Sequence, residues 1–432
     1  MKGDFSRITN IETESEHYSM VLMQQGRVQL DADWNEQVLI QWFQWQRLVS
    51  DLLGEHAGRD YGFQIHPGEG VDIAIRNGTY YINGTMFINN DNSATYMNQP
   101  HFPSPPALEV GKRYLVYLHG WLRHITAVEN PYLREVALGG PDTTTRVQNL
   151  WSVEVQEVTG TEIGANLKAD YHAFRQLLQL DYERSELMAR AKKPQNDDNV
   201  CIISPSNQYR GVENQLYRVE VHRGGALNET GDAMCATYKW SREDGAVVFP
   251  ITEVASETVT VVHLGRDNRL GLNVGDWVEV VDDEYELLSE VEDLLKVVAI
   301  DNETLRVTLS AAPQRGSDAA KHPLLRRWDH NGDPALGGAL KVVMGEWVEL
   351  EDGIQINFST KDNALCKTRD WWWIPARTAS GDIEWPGDYN NPTSVQALDL
   401  GHRYAPLAMV NVSANAVVVE ADLRRKIKQL WE

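Results

Sequence analysis

Cysteine and basic residues are both scarce in this sequence. Its 432 residues include three cysteines, at positions 201, 235 and 366, and their odd number and wide spacing support neither a disulfide framework nor a zinc cluster. Such limited cysteine use is typical of proteins that fold in a reducing cytoplasm. Lys and Arg number 40 against 62 Asp and Glu, a net charge of −22. Because phosphate binding depends on clustered Lys and Arg, we expect no nucleic-acid partner.

Long apolar runs and catalytic motifs are also missing. No window approaches the roughly 18 apolar residues that a transmembrane helix needs, so direct membrane insertion is not expected. The first seven residues lack the apolar core of a secretory signal. The sequence has no H-E-x-x-H, G-x-S-x-G, phosphate-binding or dinucleotide-binding motif, and the closest histidines, His119 and His124, have no third metal ligand spaced to join them. We therefore expect no enzymatic activity, no catalytic residue, no metal site and no cofactor.

Tryptophan, by contrast, is abundant, with 14 in the chain. Three are consecutive, and on a strand Trp371 and Trp373 would share one face while Trp372 lies on the other. Two interpretations of Trp371 and Trp373 stay open. Flat indole rings can form a platform that stacks on sugars, or the strand can be buried in a core or at a subunit contact. The second interpretation is favoured, since it requires no ligand.

Apolar spacing predicts a long amphipathic helix near the N-terminus. A turn at Gly26 precedes it, Asp33 stands at the expected N-cap with Glu36 three residues later, and Gly54 is expected to end it. One apolar seam recurs at intervals of four and three residues: Val38, Trp42, Trp45, Val49 and Leu52.

The rest of the chain reads mostly as short strands, so the expected fold class is α+β. We predict an N-terminal domain over residues 1–195, with the capped amphipathic helix, a hairpin at Asn77-Gly78 and a second helix over residues 166–190. A β-rich body of small barrel or sandwich type follows over residues 196–432, divisible into modules at about 200–315 and 316–432. A short helix over residues 423–431 would end it. Residues 275–282 recur in similar form at residues 345–352, through either duplication or convergence.

The N-terminal residues carry a resemblance. Residues 2–7, Tyr18 and residues 22–37 are similar to the signature of a largely uncharacterised bacterial family, often encoded in gene clusters of contractile, phage-tail-like injection systems. The resemblance implies a structural component at a tail end, either the cap or its adaptor or the baseplate periphery. Its partners would be other tail, sheath, tube, baseplate or cap proteins. Synthesis and assembly would be cytoplasmic, with release of the particle by lysis.

Such a role favours repeated interfaces, as in a symmetric homo-oligomer of three- or six-fold symmetry. We expect the assembly residues in the N-terminal turn and helix, where each could instead only maintain the fold: Arg27, Asp31, Asp33, Trp34, Asn35, Trp42 and Trp45. Two alternatives remain. One is a carbohydrate- or receptor-binding module on the same particle, which would use Trp371 and Trp373, and the other is a cell-wall-active enzyme.

Overall fold

The computed structural model describes residues 1–3, 17–159, 167, 170–192, 209–226, 236–267, 269–359 and 365–427. Among these residues the helices are α1 (Asp31–Leu53), α2 (Tyr171–Leu177) and α3 (Asp283–Leu288), with single 3₁₀ turns at Pro131–Leu133, Val136–Leu138, Ala319–Lys321 and Pro334–Leu336. The remaining regular structure is β, so the predicted α+β class with β-rich modules is confirmed.

The strands follow in chain order. Those before α2 are β1 (His56–Gly58), β2 (Ile65–Pro67), β3 (Ile73–Ile75), β4 (Gly78–Ile82), β5 (Thr85–Asn89), β6 (Arg113–Ile125) and β7 (Arg146–Glu157). The next group extends from α2 to the last strand of the barrel. Its strands are β8 (Glu186–Ala191), β9 (Gln215–Arg223), β10 (Gly225–Ala226), β11 (Thr237–Ser241), β12 (Val248–Ala255), β13 (Thr258–Val261), β14 (Trp277–Val281), β15 (Leu295–Asp301), β16 (Arg306–Leu309) and β17 (Leu324–Trp328). The last are β18 (Leu340–Lys341), β19 (Val348–Glu349), β20 (Ile354–Phe358), β21 (Leu365–Cys366), β22 (Trp371–Arg377), β23 (Asp382–Ile383), β24 (Gly387–Asp388), β25 (Asn391–Pro392), β26 (Val395–Gln396), β27 (Arg403–Val412) and β28 (Val417–Asp422).

One compact unit comprises Phe5–Ile125, Thr144–Asp181 and Leu400–Glu432. Its main sheet has the antiparallel order β28-β27-β6-β7, and a smaller sheet has the order β1-β4-β5. Successive side chains of β6 point to opposite faces of the main sheet, and each face packs in an apolar core. Val116 and Leu118 belong to one core, and Leu115 belongs to another that includes Phe174 of α2. The ring of Phe87 lies where Gly120 has no Cβ, since a Cβ there would be 2.2 Å from the ring.

The other compact unit comprises Met1–Asp4, Thr126–Thr143 and Tyr182–Asp399. A five-stranded sheet, β18-β11-β9-β22-β23, and a four-stranded sheet, β19-β20-β8-β26, share one apolar core and form a sandwich. Strands β12-β13-β16-β15-β14-β17 close a barrel with a core of its own. The sequence predicted β-rich modules of small barrel or sandwich type, and this unit contains one of each.

The predicted limits of domains and modules differ from these units. Residue 195 lies outside the described residues, and neither unit is one continuous segment of chain. The reason is β27, which pairs along β6 and joins the C-terminal segment to N-terminal strands. A module boundary at residue 315 is also wrong, because β17 follows that point and closes the barrel by pairing with β12 and β14.

Three local predictions also fail. No hairpin forms at Asn77-Gly78, because β3 pairs with β2 and not with β4. The hairpin turn is instead Asn83-Gly84, which connects the paired strands β4 and β5. The predicted second helix stops at Leu177, and β8 replaces its last turns because that segment pairs with β20. The predicted C-terminal helix is absent from residues 423–427, and its remaining residues lie outside the described part of the chain.

The two similar segments at residues 275–282 and 345–352 occupy unlike places. The first contains β14, a barrel strand buried along its whole length, with Trp277 in an apolar cluster. The second contains only β19, a two-residue strand at the edge of the sandwich. Similar sequence therefore does not produce a repeated structural unit here.

Candidate functional site

Helix α1 carries an apolar stripe that faces solvent. The side chains of Trp34, Trp45 and Leu52 are 64%, 65% and 73% exposed. The helical period places these three residues and Val38 within about 40° of one another around the axis. Ile40, the buried residue of the helix, lies on the far side. The stripe therefore coincides with much of the predicted seam, but no other part of the chain that the structure describes covers it.

A flank of α1, about 100° around the axis from Trp45, is held by close contacts. The side-chain amide of Gln46 donates to the Thr85 hydroxyl at 2.8 Å. Gly84 packs so tightly that a Cβ there would lie 2.1 Å from the Gln46 carbonyl oxygen. Gly54 ends the helix at positive φ and donates its N–H to Ser50 at 2.8 Å, as predicted. These contacts fix the helix and leave the stripe outward.

The segment before α1, residues 17–30, adds exposed apolar side chains to the same end of the chain. Its backbone is tied to the helix by the N–H of Val21, which donates to the Gln37 side chain at 2.7 Å. We call this segment and the stripe the arm–helix surface, whose large exposed apolar side chains are Tyr18, Met20, Leu22, Met23, Val28, Leu30, Trp34, Val38, Trp45, Leu48 and Leu52. A concentration of this size marks an interaction surface more often than scattered exposed residues do.

The predicted assembly residues divide between this surface and the start of the helix. Trp34 and Trp45 lie on the stripe, whereas Trp42 is half-buried at its edge. Asn35 is half-buried in the first turns. The N–H of Arg27 closes the predicted glycine turn by donating to the Gln24 carbonyl at 3.3 Å.

The prediction that Asp33 is the N-cap is wrong. Helix α1 begins at Asp31, with Leu30 at the N-cap position. The carboxylate of Asp33, now in the third helical position, accepts the Leu30 N–H at 3.3 Å, and the carboxylate of Asp31 accepts the Ala32 N–H at 3.0 Å. Both acids therefore satisfy donors at the positive end of the helix, which makes their role local.

A second feature, which the sequence did not predict, is a buried network of charges around the first residues of the chain. Lys2 Nζ lies 3.2 Å from the carboxylate of Glu220. The guanidinium of Arg218 donates to the Met1 carbonyl at 2.7 Å and to Asp244 at 3.0 Å. The lysine of the N-terminal signature is thus fixed inside the unit that contains the barrel and the sandwich.

The network continues through paired carboxylates. Lys239 Nζ lies 2.5 Å from Glu279, which also accepts from the hydroxyl of Tyr285 at 2.6 Å and the indole of Trp328 at 3.1 Å. Burial alone would raise the pKa of Glu220, but the charges of Lys2, Arg218 and Lys239 lower that pKa to about 2. These charges are paired with one another inside the protein, so the network is a structural anchor.

Alternation on β9 was the available sequence signal for this network. Arg218, Glu220 and His222 follow one another at every second position, between apolar residues that point into the sandwich core. Three polar residues on one face of a strand buried on both sides indicate a polar layer inside the protein. Their partners lie too far along the chain to be identified from spacing.

Trp371 and Trp373 do not form an open platform. Trp371 is 2% exposed, and the guanidinium of Arg218 lies 4.3 Å from its ring centroid. The indole of Trp373 donates to Asp244 at 2.8 Å. The predicted alternation is confirmed, because Trp372 points into the sandwich core on the other face. The ligand-platform prediction is wrong, since the residues of the charge network occupy the place of a sugar.

His119 also has partners that sequence spacing could not reveal. Its Nδ1 lies 2.7 Å from Glu154 and its Nε2 lies 2.9 Å from His402, while its ring stacks on Tyr404 at 4.5 Å. Burial would raise the pKa of Glu154, but hydrogen bonds, first that of His119, lower it to about 2. A carboxylate that orients a histidine resembles part of a catalytic triad. Here the second ring nitrogen meets another histidine instead of a nucleophile.

No group of three or more His, Cys, Asp or Glu side chains in the described part of the chain could hold a metal ion. No helix in the described ranges is long and apolar enough to cross a membrane.

Comparison with known proteins places the chain in one family. A family model matches residues 1–176 and 154–421, and the chain therefore belongs to this family of unknown function, DUF6519. No curated protein and no solved structure matches the chain.

Proposed function

We propose that this chain is a non-catalytic assembly subunit of a contractile, phage-tail-like injection particle, and that it docks on neighbouring subunits through the arm–helix surface. The observation that carries the docking mode is the outward apolar stripe of Trp34, Trp45 and Leu52. The type of particle rests on the resemblance of residues 2–37 to proteins of injection-system gene clusters. Both features lie in the same part of the chain.

The energetics of the stripe support docking. Full burial of one large apolar side chain contributes roughly 1.5–3 kcal/mol, and tryptophans at the centre of an interface contribute more than most residues. Three such side chains on a helix fixed along its flank form a preorganised anchor, which lowers the entropy lost on binding. Burial of the stripe against a partner is therefore lower in free energy than its exposure to water.

An assembly role also agrees with the closed character of the polar clusters. Lys2, Glu220 and Glu279 are engaged inside the protein, and His119 is held between Glu154 and His402. Within this proposal the subunit belongs to a tail end, at the cap, its adaptor or the baseplate periphery, in a ring of three- or six-fold symmetry. The particle assembles in the cytoplasm and leaves by lysis.

The test compares particles from three strains of the source bacterium. One strain lacks the gene, one carries Trp34→Ala with Trp45→Ala, and a control carries Tyr132→Ala with Val136→Ala, two highly exposed residues outside the arm–helix surface. Exposed substitutions change stability by only about 0.5 kcal/mol, so each purified variant should unfold at the wild-type temperature.

We expect purified particles to lose the Trp34/Trp45 variant and to retain the control. Negative-stain images of the deletion strain should show sheaths of abnormal length, which indicates a cap role, or missing tips, which indicates a baseplate role. Normal particles from the deletion strain, together with wild-type particles that do not contain this chain, would disprove the proposal.

A further inference from the structure

The side chain of Lys2 lies in a pocket of charged residues within the unit of the barrel and sandwich. We call this pocket the Lys2 socket, and we propose that it is a peptide-binding site, that residues 1–3 are its ligand, and that this segment can leave it without unfolding the protein. The residues that form the socket come from β9, from the turn between β11 and β12, and from α3: Arg218, Glu220, Asp244, Gly245 and Glu286. The proposal does not depend on the partner of the arm–helix surface, so either one can fail alone.

The main chain of residues 1–3 is bound by side chains. The carbonyl of Met1 accepts a hydrogen bond from the guanidinium of Arg218 at 2.7 Å, and the N–H of Gly3 donates to the carboxylate of Asp244 at 3.4 Å. Strands of a sheet bind one another through their main chains, but none of the strands that the structure describes includes residues 1–3. The segment is therefore held as a peptide ligand is, by groups that belong to other elements.

The socket is specific for a lysine at the second position. Lys2 Nζ lies 3.2 Å from the carboxylate of Glu220 and 3.9 Å from that of Glu286. The aliphatic part of the side chain packs on Gly245, because Cβ and Cδ of Lys2 would lie 3.6 and 3.5 Å from a Cβ at that position. Methionine has a similar length but no charged donor for either carboxylate, so we expect the socket to bind it weakly.

Every acid of the socket keeps a cation when Lys2 leaves. Glu220 accepts from Arg218 at 2.6 Å, and Glu286 accepts from Arg369 at 2.7 Å. The third acid also pairs with Arg218, at 3.0 Å. Loss of a partner from a buried ion pair is costly when the remaining charge has no other partner, and that condition does not arise here. The walls of the socket are thus fixed before the segment binds, as in a preorganised binding site.

The socket also opens to solvent at one wall. The side chain of Glu286 is 23% exposed, whereas those of Lys2 and Glu220 are 9% and 0% exposed. Water can therefore reach the socket past Glu286 when the segment leaves. Residues 1–3 thus have the character of a bound ligand more than that of a core element.

The experiment measures the binding of a fluorescent peptide, with the sequence of residues 1–7, to the full chain by fluorescence anisotropy. Lys2→Glu should empty the socket, because the introduced carboxylate faces Glu220 and Glu286. Lys112→Glu is the matched control. Lys112 also contacts two carboxylates, at 2.9 and 3.0 Å, but its side chain is 33% exposed and it belongs to the other unit.

We expect the peptide to bind the Lys2→Glu chain with a Kd below about 0.1 mM. Its affinity for the wild type and for Lys112→Glu should be at least about tenfold lower, because their own segment occupies the socket. A second peptide, in which methionine replaces the lysine, should bind the Lys2→Glu chain at least about tenfold more weakly than the first.

Calorimetry of the same chains tests whether the segment is separable. Lys2→Glu and Lys112→Glu should each unfold within about 4 °C of the wild type. The proposal is overturned if Lys2→Glu lowers the unfolding temperature further than this, because residues 1–3 would then be an integral part of the core. It is also overturned if the peptide binds the Lys2→Glu and wild-type chains equally or binds neither, or if the two peptides bind equally.

Discussion

Lys239→Met tests whether the buried charge network stabilises the protein. Lys239 is buried and contacts the carboxylates of Glu220 and Glu279 at 3.4 and 2.5 Å, and its Nζ lies 4.4 Å from the Trp328 ring centroid. Methionine preserves most of the side-chain volume and removes the charge together with the hydrogen bond that Lys239 donates to Glu279. The substitution therefore leaves Glu279 buried without its nearest cation.

The expected magnitude follows from the environment of the pair. Removal of one partner from a buried ion pair costs about 3–5 kcal/mol, because the remaining charge cannot return to water. The matched control is Lys192→Met, which breaks an exposed pair with Glu349 at 3.2 Å, with both side chains about half exposed. Exposed pairs contribute roughly 0–1 kcal/mol. The two identical substitutions should therefore differ by at least about 2 kcal/mol.

Differential scanning calorimetry measures this difference in the full chain. For a domain of about 200 residues, 1 kcal/mol lowers the unfolding temperature by roughly 2–4 °C, so Lys239→Met should lower it by about 6 °C or more. Lys192→Met should change it by no more than about 4 °C. If both variants unfold at the same temperature, Lys2 and the neighbouring arginines already neutralise Glu279, and the argument from pairing is refuted.

Two further predictions concern a pH effect and a close contact. Burial raises the pKa of Asp370 from 3.8 to about 7, so the folded protein binds this proton more tightly and loses stability as pH rises from about 4 to 7. Asp370→Asn should therefore raise the free energy of unfolding at pH 8, by at most about 4 kcal/mol at 1.36 kcal/mol per pH unit. The gain should be much smaller at pH 5. Equal gains at both pH values, measured by urea unfolding, would contradict this prediction. Gly84→Ala should loosen α1, because the added Cβ meets the Gln46 carbonyl, whereas Gly111→Ala has a similar positive φ and nothing within 4 Å. Hydrogen exchange in α1 should increase only for Gly84→Ala, and an equal increase in both variants would attribute the effect to other causes.

The sequence predicted those features that depend on short-range pattern. Gly54 ended the helix where a residue at positive φ was needed, and alternation placed Trp372 opposite its neighbours. The start of α1 was misplaced by three residues because Asp31, Asp33 and Asn35 are all residues that suit a cap. None of the three is the N-cap, because the helix already begins at Asp31 after Leu30. Where the helix begins depends on the path of the preceding chain, which spacing does not record.

Features that depend on distant partners could not be predicted. The residues of β8, Glu186–Ala191, include good helix formers, and their pairing with β20 more than 160 residues later makes them a strand. The same holds for the charge network, whose strands approach one another only in the fold. For α1 the periodicity identified an apolar stripe correctly, but periodicity cannot tell whether the stripe is covered by the same chain or faces outward.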